Sequence, residues 1–143
     1  MIIAGVDLGH ARTGLAVCDP AEVLASPLGV ISGGNPEKLA EEIVRAAKAA
    51  GAELLAVGLP RNMDGTEGES ARFAREMGER LRELSGLPVE FVDERGTTVT
   101  AHNYLNDTNT RGRKRKAVVD AVAATVILED YLRWRRNRRE REK

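Results

Sequence analysis

The chain of 143 residues has few of the residue types on which many functional sites depend. Its single cysteine, Cys18, excludes an internal disulfide and indicates a reducing compartment, so we expect a cytoplasmic protein. The two histidines, His10 and His102, lie far apart in the sequence and indicate neither a zinc site nor a histidine-based nucleophilic centre. Aromatic residues make up only 3% of the chain, which argues against a binding surface of stacked rings.

A long apolar run is also missing. The longest apolar segment, AVVDAVAATVIL, is shorter than the roughly 20 residues that a membrane-spanning helix needs and contains Asp120. The N-terminus has no basic start followed by an apolar stretch, so we expect neither a signal peptide nor a membrane partner. With 42% hydrophobic and 31% charged residues, residues 1–143 are predicted to form one globular domain.

Positive and negative charges balance overall but are unevenly distributed. Residues 111–143 contain 12 of the 22 Lys and Arg residues and 5 of the 22 Asp and Glu residues. This basic end on an otherwise acidic chain predicts an anionic partner such as nucleic acid. For the helical tail from about residue 133, RWRRNRREREK, the alternative is a solvated helix end whose arginines suit the helix dipole.

The apolar pattern predicts three short strands in the first 31 residues, then alternating helices and strands, and a long closing helix. Asn35 as N-cap, Pro36 at the first helical position and Gly51 at the end mark the first helix. The buried stripe of the second helix is predicted as Phe73, Met77, Leu81 and Leu84. The other expected elements are strands over 54–60 and 88–95, a short helix over 97–105, a flexible connection over 106–116 and a helix from 116. This order predicts an α/β domain with a mixed sheet.

Three acidic positions interrupt patterns that otherwise predict buried apolar residues. Asp7 ends the first strand, Asp93 and Glu94 end the strand over 88–95, and Asp120 lies inside an apolar helix. An unpaired carboxylate in an apolar interior costs several kcal/mol, so these side chains need partners. Because strand ends in open α/β sheets face a common crevice, we expect Asp7 and Glu94 to converge, with Asp120 supplied by the covering helix.

A cluster of three carboxylates is held ionised by basic partners or by a divalent cation. Oxygen ligands suit Mg²⁺ or Mn²⁺. Two such ions about 3.5–4 Å apart activate a water and stabilise the leaving oxygen of a phosphodiester, which needs no nucleophilic side chain. The acids therefore predict a phosphodiester hydrolase with a two-metal mechanism.

The alternative is that each acid is satisfied locally. Asp7 would then accept hydrogen bonds from backbone amides of the turn that follows it. Asp120 would pair with Lys116 one helical turn earlier, and Asp93 would pair with Arg95.

Four sequence blocks together resemble the YqgF family of RuvX-like proteins: DLGHARTGLA, VGLPRNMDGTEG, VDERGTT and KAVVDAVAATVIL. The family is described as nucleases of pre-16S rRNA and, earlier, as Holliday junction resolvases. The match extends from about residue 2 to residue 132. It implies an RNase H-like fold, a five-stranded mixed sheet whose first three strands are antiparallel, flanked by helices. It also implies a metal-dependent nuclease in which Asp7, Glu94 and Asp120 are the catalytic acids and the ligands of Mg²⁺ or Mn²⁺.

The resemblance also suggests residues that contact the substrate: Arg12, Arg95, Thr97 and Thr98. Arg12 would neutralise a phosphate or a nearby acid, and the two threonines begin a helix whose free amides receive a phosphate. A cap or a turn is an equally good explanation for each of them. Gly96 departs from the bulky apolar residue that the family usually has there, which puts the placement of Glu94 in doubt.

The basic stretch RGRKRK precedes the helix of Asp120 and contains Arg111, Arg113, Lys114, Arg115 and Lys116. Five positive charges without an acid among them predict an arm that contacts phosphates. Phosphate contacts position a backbone without reading its sequence, which suits a folded RNA or a branched DNA recognised by shape.

These observations predict a nuclease acting on structured nucleic acid, with the 5′ end of pre-16S rRNA favoured by the family resemblance. One alternative is a Holliday junction resolvase, which needs a homodimer to cut two strands symmetrically, whereas the other functions allow a monomer. A second alternative is a non-catalytic nucleic-acid-binding module. A kinase-like nucleotide-binding protein ranks lower, because 143 residues leave little room for a second lobe.

Overall fold

The computed structural model describes residues 1–9, 11–33, 35–94 and 112–141, with side chains in the last range from residue 121 onward. Five strands and three helices lie in these ranges. In chain order they are β1 (Ile3–Leu8), β2 (Arg12–Cys18), β3 (Ala25–Ser32), α1 (Pro36–Ala49), β4 (Leu54–Leu59), α2 (Glu69–Ser85), β5 (Val89–Asp93) and α3 (Gly112–Arg141).

The strands form one mixed sheet in the order β3-β2-β1-β4-β5. β1, β2 and β3 pair antiparallel, whereas β4 pairs parallel to β1 and β5 pairs parallel to β4. All six residues of β4 are buried, as expected for a central strand covered on both faces. The predicted α/β fold with a five-stranded mixed sheet is confirmed.

Helices cover both faces of this sheet. Along β1, Ala4 and Val6 belong to the core beneath α1 and α2, whereas Ile3 belongs to the core beneath α3. Because side chains alternate along a strand, Asp7 lies on the α3 face and Leu8 on the face of α1 and α2.

The first helix agrees with its sequence signals. The side chain of Asn35 accepts a hydrogen bond of 2.8 Å from the backbone N–H of Lys38, and Pro36 occupies the first helical position. This cap leaves the apolar positions of α1 facing the sheet, and the buried ones are Leu39, Ala40, Ile43 and Ala47.

The predicted buried stripe of α2 is wrong at Leu84, which is 48% exposed. Met77 and Leu81 are buried as predicted, together with small residues that include Ala71, Ala74 and Gly78. A methyl group added at Gly78 would clash with the ring of Phe91, so the helix approaches the sheet closely along this face. Leu84 is the penultimate residue of α2, directly before the helix ends, and is left exposed to solvent.

The last helix also differs from expectation, because α3 begins at Gly112 and includes the last five residues of the predicted flexible connection, 112–116. Arg113, Lys114, Arg115 and Lys116 therefore lie on a helix. The segment was predicted as flexible because its apolar residues show no helical periodicity. Arg and Lys are among the better helix formers, so the segment is helical without that periodicity. Within the described residues, no helix combines the length and the apolar character needed to cross a bilayer.

Candidate active site

Three parallel strands, β1, β4 and β5, end at the same edge of the sheet. Asp7 is the penultimate residue of β1. Glu94 directly follows β5, and its backbone N–H donates a hydrogen bond of 3.2 Å to the carbonyl of Leu59 at the end of β4. This bond extends the pairing of β4 and β5 by one residue and positions Glu94 at the edge.

The carboxyl groups of Asp7 and Glu94 meet across β4, which separates their strands. They can do so because the intervening residue is Gly58. A methyl group added there would lie 2.6 Å from Oε2 of Glu94 and 2.6 Å from Cδ1 of Ile127. This role of Gly58 was not predicted from the sequence, although a glycine inside a buried strand is itself a sign of close approach.

Glu94 has a strongly altered acidity. Burial raises the pKa of Glu94, the negative charge and hydrogen bond of Asp7 raise it further, and Asp93 adds a smaller effect, so that the pKa is about 8. At neutral pH the Glu94 carboxyl is therefore mostly protonated and donates a hydrogen bond to the Asp7 carboxylate. The two carboxyl groups are held together by one proton.

The Asp7–Glu94 pair fits a divalent cation. Its donors are carboxylate oxygens, the ligands preferred by Mg²⁺ and Mn²⁺, and the space above Gly58 that they share would be filled by any larger residue. A cation between them would replace the proton that now joins them. Among the described side chains, no group of three or more His, Cys, Asp and Glu residues is close enough to hold a metal.

The third predicted acid, Asp120, lies on α3 one turn before Ala124. The carbonyl oxygen of Ala124 would be only 2.9 Å from a methyl group on Gly5, so α3 crosses β1 closely at this point. The later residue Leu132 packs with Ile3 at the start of β1, so the helix runs back toward the Asp7 edge in its earlier turns. The Asp120 side chain lies outside the described residues, and its role stays a prediction.

The predicted substrate-contacting residues fall into three groups. Arg12 begins β2 at the same edge, where the N–H of Gly9 donates a hydrogen bond of 2.9 Å to its carbonyl. Arg113, Lys114, Arg115 and Lys116 occupy the first turns of α3, without described side chains. The other four, together with Gly96, lie outside the described residues: Arg95, Thr97, Thr98 and Arg111.

One basic residue near this edge of the sheet was not singled out from the sequence. Arg61 follows β4, and its Nη1 lies 3.9 Å from Oδ2 of Asp93. Its Nε is buried without a hydrogen-bond partner, 3.5 Å from Oε2 of Glu67, while Arg75 donates hydrogen bonds to both oxygens of Glu67 at 2.7 and 2.8 Å. Asp93 thus has a basic neighbour other than the Arg95 suggested by the sequence.

The basic C-terminal tail is partly used within the fold. Arg135 and Arg139 both donate hydrogen bonds to the carboxylate of Glu22, at 2.7 and 2.8 Å. Burial raises the pKa of Glu22, but these bonds and the N-terminal ammonium outweigh it and hold that pKa at about 2. For these two arginines, intramolecular pairing explains the positive charge without a nucleic acid.

Comparison with known proteins identifies the family. The family model described as "RuvX: Holliday junction resolvase" matches residues 1–134. A protein of Clostridium botulinum (strain Eklund 17B / Type B) named "Putative pre-16S rRNA nuclease" is 42% identical over 132 residues, which cover 92% of this chain and 96% of that protein. A protein of Rhodopirellula baltica with the same name is 42% identical over 130 residues, covering 91% of this chain and 75% of that protein.

A solved structure shows the same fold at low sequence identity. Thermus thermophilus RuvC in complex with a Holliday junction substrate aligns with a TM-score of 0.62 at 16% identity, covering 96% of each chain. This likeness confirms the RNase H-like fold expected from the four sequence blocks. The match to the family and the identity to its named relatives agree, and the chain belongs to the RuvX family.

Proposed function

We propose that the chain is a metal-dependent nuclease that acts on structured nucleic acid and processes the 5′ end of pre-16S rRNA. The observation that supports this most directly is the Asp7–Glu94 pair, two carboxyl groups brought together over Gly58 at the carboxyl edge of the sheet. The names of the relatives at 42% identity favour pre-16S rRNA as the substrate. A cytoplasmic location stays a prediction from the single cysteine.

In this proposal Asp7, Glu94 and Asp120 hold Mg²⁺ or Mn²⁺, and three carboxylates are enough for one or two ions. When bound, such ions stabilise charge on the phosphodiester oxygens and lower the pKa of an attacking water. Glu94 gives up its proton to solvent as the site is loaded. Gly58 keeps the two carboxyl groups close, and the basic first turns of α3 bind the flanking phosphates.

A second candidate function is Holliday junction resolution, which the description of the matching family names. Symmetric cleavage of a four-way junction requires two active sites related by a two-fold axis, so this function requires a homodimer. Processing of an RNA end requires only one site. The oligomeric state under assay conditions therefore helps to separate the two functions.

A parallel cleavage assay tests the proposal. The wild-type protein is incubated with a precursor rRNA fragment, linear duplex DNA and a four-way DNA junction, each with Mg²⁺, Mn²⁺ or chelator. The proposal predicts cleavage of the RNA that needs metal and falls by orders of magnitude in Asp7→Asn and Asp120→Asn. Preferential cleavage of the junction by a dimer would support the resolvase instead.

A non-catalytic binding module gives a different result in the same experiment. Binding would persist with no cleavage of any substrate, and Asp7→Asn would bind as the wild type does. That outcome would overturn the proposed nuclease. A correctly folded Asp7→Asn variant, shown by an unchanged circular dichroism spectrum, is needed to interpret it.

A further inference from the structure

A cavity of about 330 Å³ lies at the same edge of the sheet as the Asp7–Glu94 pair, but on the opposite face. It opens between the first turns of α1 and α2 and is bounded on a third side by the turn that joins β1 to β2. Its volume falls at the lower end of the range of small-molecule sites. Nothing in the mechanism above uses it.

The floor of the cavity is apolar and incompletely covered. Leu8, Ile31 and Phe73 line it, and each of them is only partly buried although each packs against the core under α1 and α2. Leu39, which is 8% exposed, closes the base. A flat apolar group that entered here would cover surface that the described part of the chain leaves open to water.

Polar groups surround this apolar floor. Arg12 and Thr13 contribute from β2, and Glu69 and Ser70 contribute from the first turn of α2. Thr13 is 1% exposed, so its polar side chain belongs to the inner wall and not to the rim. An apolar floor with a charged and hydroxyl-bearing wall suits a planar, aromatic ligand with hydrogen-bonding edges, such as a nucleobase.

The cavity and the acid pair are separated by a single strand end. Asp7 and Leu8 are consecutive residues of β1, and alternation directs one to each face. A nucleic-acid strand whose phosphate lies at Asp7 can therefore pass over the edge of the sheet and place a neighbouring nucleotide on the other face. Arg12, on the wall between them, is positioned for the connecting phosphate.

We propose that this cavity receives an unpaired nucleotide of the substrate, next to the phosphodiester that is cut. The inference rests on the proposed nuclease function and narrows its substrate: the base must be free of its partner strand to enter the cavity. Fully paired duplexes and fully paired junction arms cannot supply such a base without unpairing. A precursor RNA with an unpaired flank beside the cleavage position supplies it directly.

The test combines cleavage with a fluorescent base. Two RNA substrates share one cleavage position, which is flanked in one by an unpaired 2-aminopurine and in the other by the same base paired. With Mg²⁺, the wild-type protein should cleave the unpaired substrate with a kcat/KM at least about tenfold higher than that for the paired substrate. A tenfold ratio is of the size expected from one contact between a base and an aromatic side chain. In chelator, 2-aminopurine fluorescence should change on binding of the unpaired substrate.

Variants connect both signals to the cavity. Ala11 is exposed and lines the mouth of the cavity, so Ala11→Trp should fill it and abolish both the preference and the fluorescence change. Ser70→Phe fills it from the opposite wall and serves if the first variant misfolds. Ala21→Trp, at an exposed alanine in the turn between β2 and β3, is the matched control and should keep both signals.

The possible results separate the two proposals. One result would overturn the cavity proposal and leave the proposed nuclease intact. In it, cleavage depends on metal and on Asp7 but is equally fast on both substrates, and the fluorescence change on binding is the same in wild type and Ala11→Trp. A fluorescence change that Ala11→Trp abolishes, without cleavage of any substrate, would overturn the nuclease and support the cavity as a nucleotide site. If Ala11→Trp and Ser70→Phe both show the same change in 2-aminopurine fluorescence on binding as the wild type, the cavity proposal is also overturned.

Discussion

Among single residues that the structure describes, Glu94 has the largest change in pKa between its ordinary value and the folded protein. Its pKa is raised from 4.5 to about 8 in the folded protein, so folding favours its protonated form. The resulting stabilisation is complete below pH 4.5 and is lost as the pH rises through about 8. Because Glu94→Gln cannot ionise, we predict that the variant becomes more stable relative to wild type as the pH rises through this range.

Urea unfolding of both proteins in chelator, at several pH values across that range, measures the effect. Added Mg²⁺ should stabilise the wild type more than Glu94→Gln, because the cation takes the place of the proton. A stability difference that does not change with pH would contradict the described pairing of Glu94 with Asp7.

Gly58 provides the second prediction at this scale. A methyl group there would overlap both the Glu94 carboxylate and Ile127, so Gly58→Ala should displace Glu94 and destabilise the fold by about 1–3 kcal/mol. Cleavage should fall as well, although no acid is changed. Gly29→Ala is the matched control, because a methyl group at this other strand glycine meets nothing within 4 Å.

The sequence predicted that Asp7 and Glu94 converge, but it did not predict the residues that let them do so. Asp7 and Glu94 stood out because a carboxylate at the end of an apolar strand needs a partner, and the structure pairs them with each other. The role of Gly58 depends on the order of three strands, because it lies between two residues 87 positions apart in the chain. Arg61 was missed for the same reason, since its neighbour Asp93 belongs to another strand.

At the scale of elements, the position of α3 depends on Gly5. A methyl group on Gly5 would lie 2.9 Å from the carbonyl oxygen of Ala124 and 3.0 Å from Cβ of Leu128. Backbone atoms cannot rotate away, so Gly5→Ala should push α3 off the sheet and destabilise the fold by about 1–3 kcal/mol. Because α3 includes Asp120, cleavage should also fall in this variant.

Calorimetric unfolding and the cleavage assay check this prediction, again with Gly29→Ala as control. Loss of stability with full activity would mean that α3 does not contribute to the site, and so would remove Asp120 from it. A variant as stable as the wild type would contradict the close crossing of α3 over β1.

The elements themselves were predictable to different degrees. Helix α1 has a capping side chain, a proline and a terminal glycine, all of which act locally. In α2 the predicted buried stripe was right at Met77 and Leu81 and wrong at Leu84. The predicted start of α3 was wrong, because it depends on helix propensity in a segment without apolar periodicity.

At the scale of the whole molecule, Glu22 joins the turn after β2 to the last turns of α3. Its backbone has a φ of 60°, an unfavourable value for a glutamate, while its side chain is 9% exposed and binds Arg135 and Arg139. Its pKa is lowered from 4.5 to about 2, so the stabilisation is present above pH 4.5 and is lost as the pH falls toward 2.

We predict that the free energy of unfolding of Glu22→Gln is about 2 kcal/mol lower than that of the wild type at neutral pH. The difference from wild type should shrink as the solution is acidified below pH 4.5. Glu83→Gln, at an exposed glutamate of α2, is the control and should stay within about 0.5 kcal/mol of wild type. If both substitutions have the same effect in urea unfolding, the contacts of Glu22 with Arg135 and Arg139 do not stabilise the packing of α3 against the turn between β2 and β3.

We propose that Asp7 and Glu94 hold a divalent cation in place of their shared proton. Calorimetric titration with Mn²⁺ in two buffers of different ionisation enthalpy tests it without relying on cleavage. The wild type should release about one proton per ion bound near neutral pH. Asp7→Asn and Glu94→Gln should bind far more weakly, and Glu94→Gln should release none. Equal affinity in all three proteins, without proton release, would contradict the account.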